Sequence, residues 1–439
     1  MNAIETVVAN ITEYLAGDGK QIIVAYSGGV DSHVMLHSVA SMHPKYPQHD
    51  FLAVHINHGL QEQANSWEQH CKTQCEALGI PFKSVRVHID VKSKKGIEAA
   101  AREQRYQALI NCADHGSIIF LGQHLDDQAE TVLLQLKRGA GPKGLSAMPE
   151  CHQHHSGVIF SRPLLHISRE QLVAYASDNQ LQWIEDPSNQ DSRYDRNFLR
   201  HKIMPLLSQR WPGFSQAVAR SASLSAQQQA LLDEVCDVRL QSITDENDSL
   251  NIDSLNEYSI AWQHQLVRTW LEQKNVSMPS KAVLDELQQV LNAKQDAEPI
   301  LQWQEWQFRR FRNKLFCIKH CEALKAGSKI ALKHGKLIHP NGFGQLIFSS
   351  SATKNVGSIE AHKSVFSEKF KPQNSAMSKP LKQWFKTWDI APWTREQSLT
   401  VTFDGLPVAI WVAENVIFSV HMPPVFIDKM QWRPIEPAL

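Results

Sequence analysis

An apolar run, Ile22-Ile23-Val24-Ala25-Tyr26, leads directly into Ser27-Gly28-Gly29-Val30-Asp31-Ser32 and then into His33-Val34-Met35-Leu36-His37-Ser38-Val39-Ala40. The first segment has the length and composition of a strand buried on both faces, and the third has apolar residues at helical spacing. The hexapeptide therefore sits at a strand-to-helix turn, where backbone N–H groups lack intrahelical partners and the helix dipole is positive. Two glycines let the backbone curl around an anion, and the two serines add hydroxyl donors. The loop has no Gly-Lys-Ser/Thr ending and is not Gly-x-Gly-x-x-Gly, so two common phosphate-binding loops are excluded. An aspartate among phosphate-binding amides points to Mg²⁺ between Asp31 and phosphate oxygens.

The alternation then repeats. Residues 4–16 have helical spacing ahead of the first strand. Strand-like runs at 51–57, 81–87 and 118–122 are followed by helical patterns at 63–78, 97–112 and 125–138. Strands alternating with helices predict βαβ units, a right-handed parallel sheet and an α/β fold. Ligands of such sheets bind beyond the C-terminal strand ends. The polar motifs fall at those ends: the loop after the first strand, His55-Ile56-Asn57-His58-Gly59 after the second, and Gly122-Gln123-His124-Leu125-Asp126-Asp127 after the fourth.

Asp126 and Asp127 open a helix and Glu130 lies one turn on, a pattern that serves either helix capping or the binding of Mg²⁺ or an ammonium group. No Cys or His completes a zinc set beside His124. Glu98, Arg102, Arg105 and Tyr106 share a helix face, through surface ion pairing or through contact with an anionic ligand. Arg138-Gly139-Ala140-Gly141-Pro142-Lys143-Gly144-Leu145 is a basic loop suited to closing over a substrate, to RNA phosphate or simply to the surface. Arg162-Pro163-Leu164-Leu165 precedes a helix at 169–179, and Glu185-Asp186-Pro187-Ser188-Asn189 is followed by Tyr194, Arg196, Asn197, Arg200 and Lys202, a polar rim.

From Phe214 the character changes to glutamine- and leucine-rich helical stretches at 214–243, 254–274 and 280–293. Residues 303–316 mix aromatics with four basic residues, which suits RNA stacking and phosphate contact or a half-buried strand. Residues 349–378 read as a linker or long loop around short strands. Between 361 and 395 seven Lys/Arg face two acids, so a chain with 45 basic and 45 acidic residues has a locally basic region near its end. Residues 381–388 form a short amphipathic helix, with strands at 399–403 and 407–413. The length divides into 1–213, 214–325 and 326–439. Seven scattered cysteines suggest no disulfide framework and favour a reducing cytoplasm. The N-terminus lacks a signal-peptide pattern and no apolar run is long enough to span a membrane. Cys151-His152-Gln153-His154-His155 reads as a solvated loop.

The hexapeptide resembles the pyrophosphate-binding loop of the N-type ATP pyrophosphatases. The wider run of motifs, at 27–32, 55–60, 98–106, 122–131, 136–148, 162–165 and 185–200, resembles the tRNA(Ile)-lysidine synthase family, as do residues 381–395 and the strands after them. Gln61, Gln123 and Ala147 depart from the family's usual arginine, histidine and glycine. The resemblance implies a Rossmann-like PP-loop domain at 1–213, a mainly helical tRNA-binding domain at 214–325 and a small α+β domain at 326–439. It implies ATP and Mg²⁺ as cofactors, with Ser27, Gly28, Gly29, Val30, Asp31, Ser32, His55 and Asn57 around the nucleotide and Asp31 on the metal. Asp31, His124, Asp127 and Arg138 take catalytic roles, and Arg102, Arg105, Asp126, Glu130, Asn197 and Arg200 bind substrate. The partners implied are an isoleucine tRNA with a CAU anticodon and free lysine, with no membrane, and a homodimer is admitted. The reaction implied adenylates C2–O of the wobble cytidine, and lysine then displaces AMP. A tRNA thiolase is the nearest rival, and it needs catalytic cysteines or an iron–sulfur cluster, whereas the chain has no Cys-x-x-Cys pair. A catalytically inert tRNA binder and a small-molecule amidating enzyme are the others.

Overall fold

The computed structural model describes residues 3–59, 63–88, 97–294, 297, 299–325, 327, 329–348, 358–427 and 430–434. The chain divides into two compact units, Met1–Val235 and Cys236–Leu439.

The first unit is built on a six-stranded sheet. Helix α1 (Ala3–Leu15) leads to β1 (Gln21–Ala25), α2 (Val30–Met42), β2 (Asp50–Asn57), α3 (Ala64–Leu78) and β3 (Phe82–Arg86). Then follow α4 (Ile97–Ile110), β4 (Ile118–Phe120), α5 (Leu125–Lys137), the short α6 (Pro142–Leu145), β5 (Cys151–Gln153), β6 (Ile159–Ser161) and α7 (Arg169–Asp178). The strand order is β3-β2-β1-β4-β6-β5, all parallel except the antiparallel edge β5. The period of two along buried strands is visible in the packing. Ile22, Val24, Ile118 and Phe120 enter one core with Ile11, Met35 and Leu172, whereas Ile23, Val54, Ile119 and Phe160 face the other way against Leu109. Because β2 and β4 flank β1 on opposite sides, the chain turns away in both directions at the end of β1, and a crevice opens there.

After α7 come α8 (Asp195–Phe198), a π-helical turn (Leu199–Ile203), α9 (Met204–Arg210) and α10 (Phe214–Ile243). The segment 151–155, expected as a solvated loop, instead supplies β5. Its three residues are exposed, as suits an edge strand paired on one side only.

The second unit carries a four-stranded antiparallel sheet in the order Leu250–Asn251, Lys314–Lys319, Trp306–Phe311, Ile300–Trp303, packed with helices at Ile260–Gln273 and Lys281–Leu291. A five-stranded antiparallel sheet follows, around Ala361, Val401, Ala409 and Trp411. The helix expected over 254–274 is broken into Ile252–Asn256 and Ile260–Gln273, because Ser259 takes an extended N-cap conformation (φ −60°, ψ 155°). The aromatic-basic segment 303–316 is a hairpin whose turn residues, Arg312 and Asn313, both have positive φ (49° and 61°), the signature of a tight primed turn. The linker expected over 349–378 contains strands Ile359–Lys363 and Lys369–Phe370; residues 349–357 lie outside the described residues. No helix among the described residues is long and apolar enough to cross a membrane.

Candidate active site

The loop after β1 folds on its own side chains. Ser27 and Ser32 hydroxyls lie 3.0 Å apart, the Ser27 amide donates to Ser32 Oγ at 3.2 Å, and Ser32 Oγ donates to the Gly29 carbonyl at 2.9 Å. Gly29 is the N-cap of α2 and no side chain caps it, so the first amides of the helix are offered outward. Gly28 has φ +88°, and a Cβ there would lie 2.7 Å from Ile184 Cδ1 and 2.9 Å from Cys71 Sγ. Its carbonyl accepts the Ile184 amide at 2.9 Å, so two distant segments clamp the turn. At Gly122 a Cβ would meet the Ser32 amide at 3.2 Å, which explains a glycine at the end of β4.

Asp31, in the first turn of α2, is half-buried. Its Oδ1 is buried without a hydrogen-bond partner among the described residues, while Oδ2 is 3.7 Å from His124 Nε2. Burial pushes its carboxyl above the usual aspartate range, against the pull of His124.

His124 is 1% exposed and is the N-cap of α5. Its Nδ1 accepts the Asp127 amide at 3.4 Å while its own amide donates to Asp127 Oδ2 at 3.1 Å, a reciprocal capping box. Its Nε2 lies 3.4 Å from Asp127 Oδ2. One turn on, Glu130 is 1% exposed. Arg200 donates to Glu130 Oε1 at 2.7 Å and to Asp127 Oδ1 at 2.7 Å; Arg196 donates to Glu130 Oε2 at 2.9 Å and to Asp127 Oδ1 at 3.1 Å. Two carboxylates thus meet two guanidiniums in an interlocked square. Burial works against ionisation of Asp127, but His124, Arg196 and Arg200 hold its carboxyl below the usual range. Burial likewise opposes the charge of Arg200, and Glu130 and Asp127 more than restore it, raising the guanidinium above its ordinary value.

A cleft of about 570 Å³ opens over these groups. Of the residues singled out from sequence, Ser27, Gly29, Asp31, Ser32, His55, Asn57, Arg102, Arg105, Asp127 and Arg200 line it. His55 Nδ1 lies 3.0 Å from the Tyr26 carbonyl, and burial lowers its imidazole pKa. Asn57 donates to Glu68 at 2.7 Å and accepts the Gly59 amide at 2.9 Å.

The remaining expectations land elsewhere. Val30 packs into the core. Asp126 accepts the Arg169 amide (2.8 Å) and the Ser215 hydroxyl (2.9 Å), so it ties α5 to α7 and α10 rather than facing the cleft. Asn197 donates to the carbonyls of Ser188 (3.0 Å) and Asp191 (3.1 Å), and so shapes the 187–191 turn. Glu130 is buried behind Arg196 and Arg200. Arg138 is exposed at the C-cap of α5, twelve or more residues beyond the cleft end of that helix, a separation of about 18 Å. Its side chain is not among those lining the cleft. Glu98 and Gln61 fall outside the described side chains.

Three family models match the chain in order: a PP-loop domain over residues 3–207, a TilS substrate binding domain over 250–316 and a TilS substrate C-terminal domain over 363–417. The tRNA(Ile)-lysidine synthase of Serratia proteamaculans (strain 568) is 41% identical over 409 residues, covering 91% of this chain and 93% of that protein. The chain belongs to the tRNA(Ile)-lysidine synthase family. The enzyme of that name from Proteus mirabilis (strain HI4320) is 40% identical over 402 residues, covering 90% and 91%. Among solved structures, the U34-tRNA thiolase NcsA from Methanococcus maripaludis aligns over 50% of this chain and 78% of its own, at 20% identity and TM-score 0.42.

In this member of the lysidine synthase family the cleft also contains His58, Trp67 and Gln123, to which no role was assigned, together with Asp186, Ser188 and Arg196 from the segment expected as a polar rim. Arg196 had a readable signal. Arginines four apart on one helix match acids three apart on another, each pair presenting one face. Ala147, the departure from a usual glycine, sits at φ +54°, where glycine carries no strain.

Proposed function

We propose that this chain ligates free lysine to C2 of the wobble cytidine in the CAU anticodon of an isoleucine tRNA, consuming ATP and releasing AMP and pyrophosphate to form lysidine. The observation that carries the reading is the convergence on one cleft of an anion-cradling loop, a half-buried aspartate with an unpaired oxygen and a guanidinium wall, in a chain that matches lysidine synthases over nearly its full length. C2–O of cytidine bonds to the α-phosphorus as pyrophosphate leaves; the lysine ε-nitrogen then bonds to C2 as the C2–O bond breaks and AMP departs.

Ser27, Gly29 and Ser32 bind the pyrophosphate portion through amides and hydroxyls at the α2 N-terminus. His55 and Asn57, at the end of β2, border the adenosine. Asp31 fits a Mg²⁺ ligand, because a buried carboxylate oxygen without a donor calls for a cation. When bound, the ion neutralises charge that develops on the leaving pyrophosphate. No group of three or more His, Cys, Asp or Glu side chains is preassembled for a metal among the described residues, which suits an ion held by one carboxylate plus substrate oxygens. Arg102 and Arg105 hold the RNA strand.

The lysine ammonium is assigned to the acidic wall of the cleft, Asp127 and Asp186. An amine with pKa near 10.4 must shed a proton to attack; Asp127 Oδ2, beside His124 and held ionised by Arg196 and Arg200, is assigned to orient that ammonium. Glu130, Asp126 and Asn197 act by positioning, and Arg138 is assigned to the RNA outside the cleft. Residues 214–325 and 326–439 are assigned to tRNA binding.

The test is incubation with labelled lysine, ATP, Mg²⁺ and an isoleucine tRNA transcript bearing CAU, beside a methionine tRNA. Label in the isoleucine transcript alone is expected. AMP formation without lysine uptake would overturn the lysine assignment and turn attention to sulfur as nucleophile.

A further inference from the structure

On the outer face of α4, three guanidiniums converge on one phenol. Arg102 Nη2 donates to Tyr106 Oη at 3.2 Å, and the Arg102 and Arg105 guanidinium carbons lie 5.1 and 5.7 Å from the ring centre. Arg162 adds its charge beside that phenol, and its Nη1 donates to the Pro149 carbonyl at 2.7 Å. Arg162 is 7% exposed, yet its Nε has no acceptor among the described residues, and neither has Nε of Arg105. Buried guanidinium donors without acceptors are costly and normally find anions.

The titration behaviour agrees with the geometry. Burial would raise the Tyr106 phenol, but Arg102, Arg105 and Arg162 pull it below its ordinary value. Burial, reinforced by Arg102, lowers the Arg105 guanidinium. A hollow of about 460 Å³ opens over this group, lined by Arg102, Glu103, Tyr106, Gln107, His154 and Arg162, with Ile110 at its floor. Glu103 is the one carboxylate in that lining. Arg102 lines both this hollow and the catalytic cleft, so the two are joined by a single side chain.

We infer that this hollow is a second nucleotide subsite, holding the phosphodiester of an RNA residue that flanks the reacting cytidine, with Arg102 and Arg162 as its cationic floor and Gln107 and His154 at its rim. The inference rests on the proposed action on RNA. A ribonucleotide strand leaving the cleft meets Arg102 first, and its next phosphate is the anion that the excess positive charge lacks. The subsite fixes the register of the strand so that one base, and not its neighbour, enters the cleft. ATP phosphates are accounted for by the loop at 27–32.

Gln107 is the place to test this, because it is exposed and among the described residues its side chain bonds only to Asn111 within its own helix, so the fold is indifferent to its charge. The full-length protein is titrated with a fluorescent anticodon stem-loop RNA, and lysine incorporation is followed in parallel. Gln107→Glu is expected to weaken RNA binding about tenfold and Gln107→Lys to tighten it about threefold, with the salt slope steeper by about one charge in the lysine variant. KM for ATP stays at its wild-type value. If both variants bind the stem-loop within twofold of wild type, the subsite is overturned while the lysidine reading stands. A change in KM for ATP instead would assign the hollow to the nucleotide and overturn the RNA assignment. Absence of RNA binding by the wild type would overturn both.

Discussion

The two walls of the cleft treat buried charge in opposite ways. On one, Asp127 and Glu130 are fully met by Arg196 and Arg200, four charges that sum to zero. On the other, Asp31 is half-buried with one oxygen unmatched. A matched network holds shape, because breaking it leaves a charge stranded; an unmatched group costs stability and is retained for what it binds. The difference separates Glu130, which builds the cleft, from Asp31, which works in it; Asp127 belongs to both, with Oδ1 on the guanidiniums and Oδ2 beside His124.

The sharpest way to break this contrast is Asp31→Asn. Activity should fall about a thousandfold, some 4 kcal/mol of transition-state stabilisation, while the melting temperature holds or rises. A variant that melts early, or keeps activity within tenfold of wild type, would put Asp31 with the builders. Glu130→Ala should do the reverse. Two guanidiniums lose one of their two carboxylate partners, and unfolding free energy should drop by about 3 kcal/mol in denaturant titration. A drop under about 0.5 kcal/mol would show that the square is solvated and not structural.

Gly28→Ala comes next. A methyl group pressed between Ile184 and Cys71 at positive φ should cost about 2 kcal/mol and raise KM for ATP, since the loop itself must shift. Stability loss without a change in KM would detach the loop's shape from nucleotide binding. The smallest effect lies outside the cleft. Asp245 is partly buried, and despite that burial Lys314 and Ser249 depress its pKa to about 2. A depressed carboxyl adds stability above its unfolded pKa that is lost as pH falls through its folded one. Asp245→Asn should therefore cost up to about 1 kcal/mol at neutral pH, and the gap to wild type should close between pH 4 and 2. A gap that persists at pH 2 would mean that packing, not charge, is at stake.

The parallel sheet was legible because its strands are apolar runs punctuated by polar strand ends, a pattern that burial on both faces imposes. The loop at 27–32, His55, Asn57 and Asp127 were legible for the same reason: ligands gather where those strands stop. Asp126 and Glu130 were not separable from Asp127, since a helix beginning with acids looks the same whether a side chain faces a ligand, a neighbouring helix or an arginine. Which one faces the cleft depends on how α5 is rotated, and that is a tertiary fact. β5 was hidden because three exposed polar residues carry no strand pattern of their own and are recruited by β6. The hairpin at 306–319 was half legible: its alternation was plain, but its turn, Arg312-Asn313, lacks the glycine that usually marks one.

The hydroxyls of Ser27 and Ser32 already hold one another and the Gly29 carbonyl. An arriving phosphate therefore swaps partners with them, and the net gain from each hydroxyl is the small remainder of an exchange, about 1 kcal/mol. Among the described residues no side chain caps the amides of α2 that follow Gly29, whereas the Ser27 and Gly29 amides donate to serine hydroxyls. Affinity for the anion thus resides in the backbone, which side-chain substitution leaves in place, and the serines act mainly to keep that backbone ready when no ligand is bound.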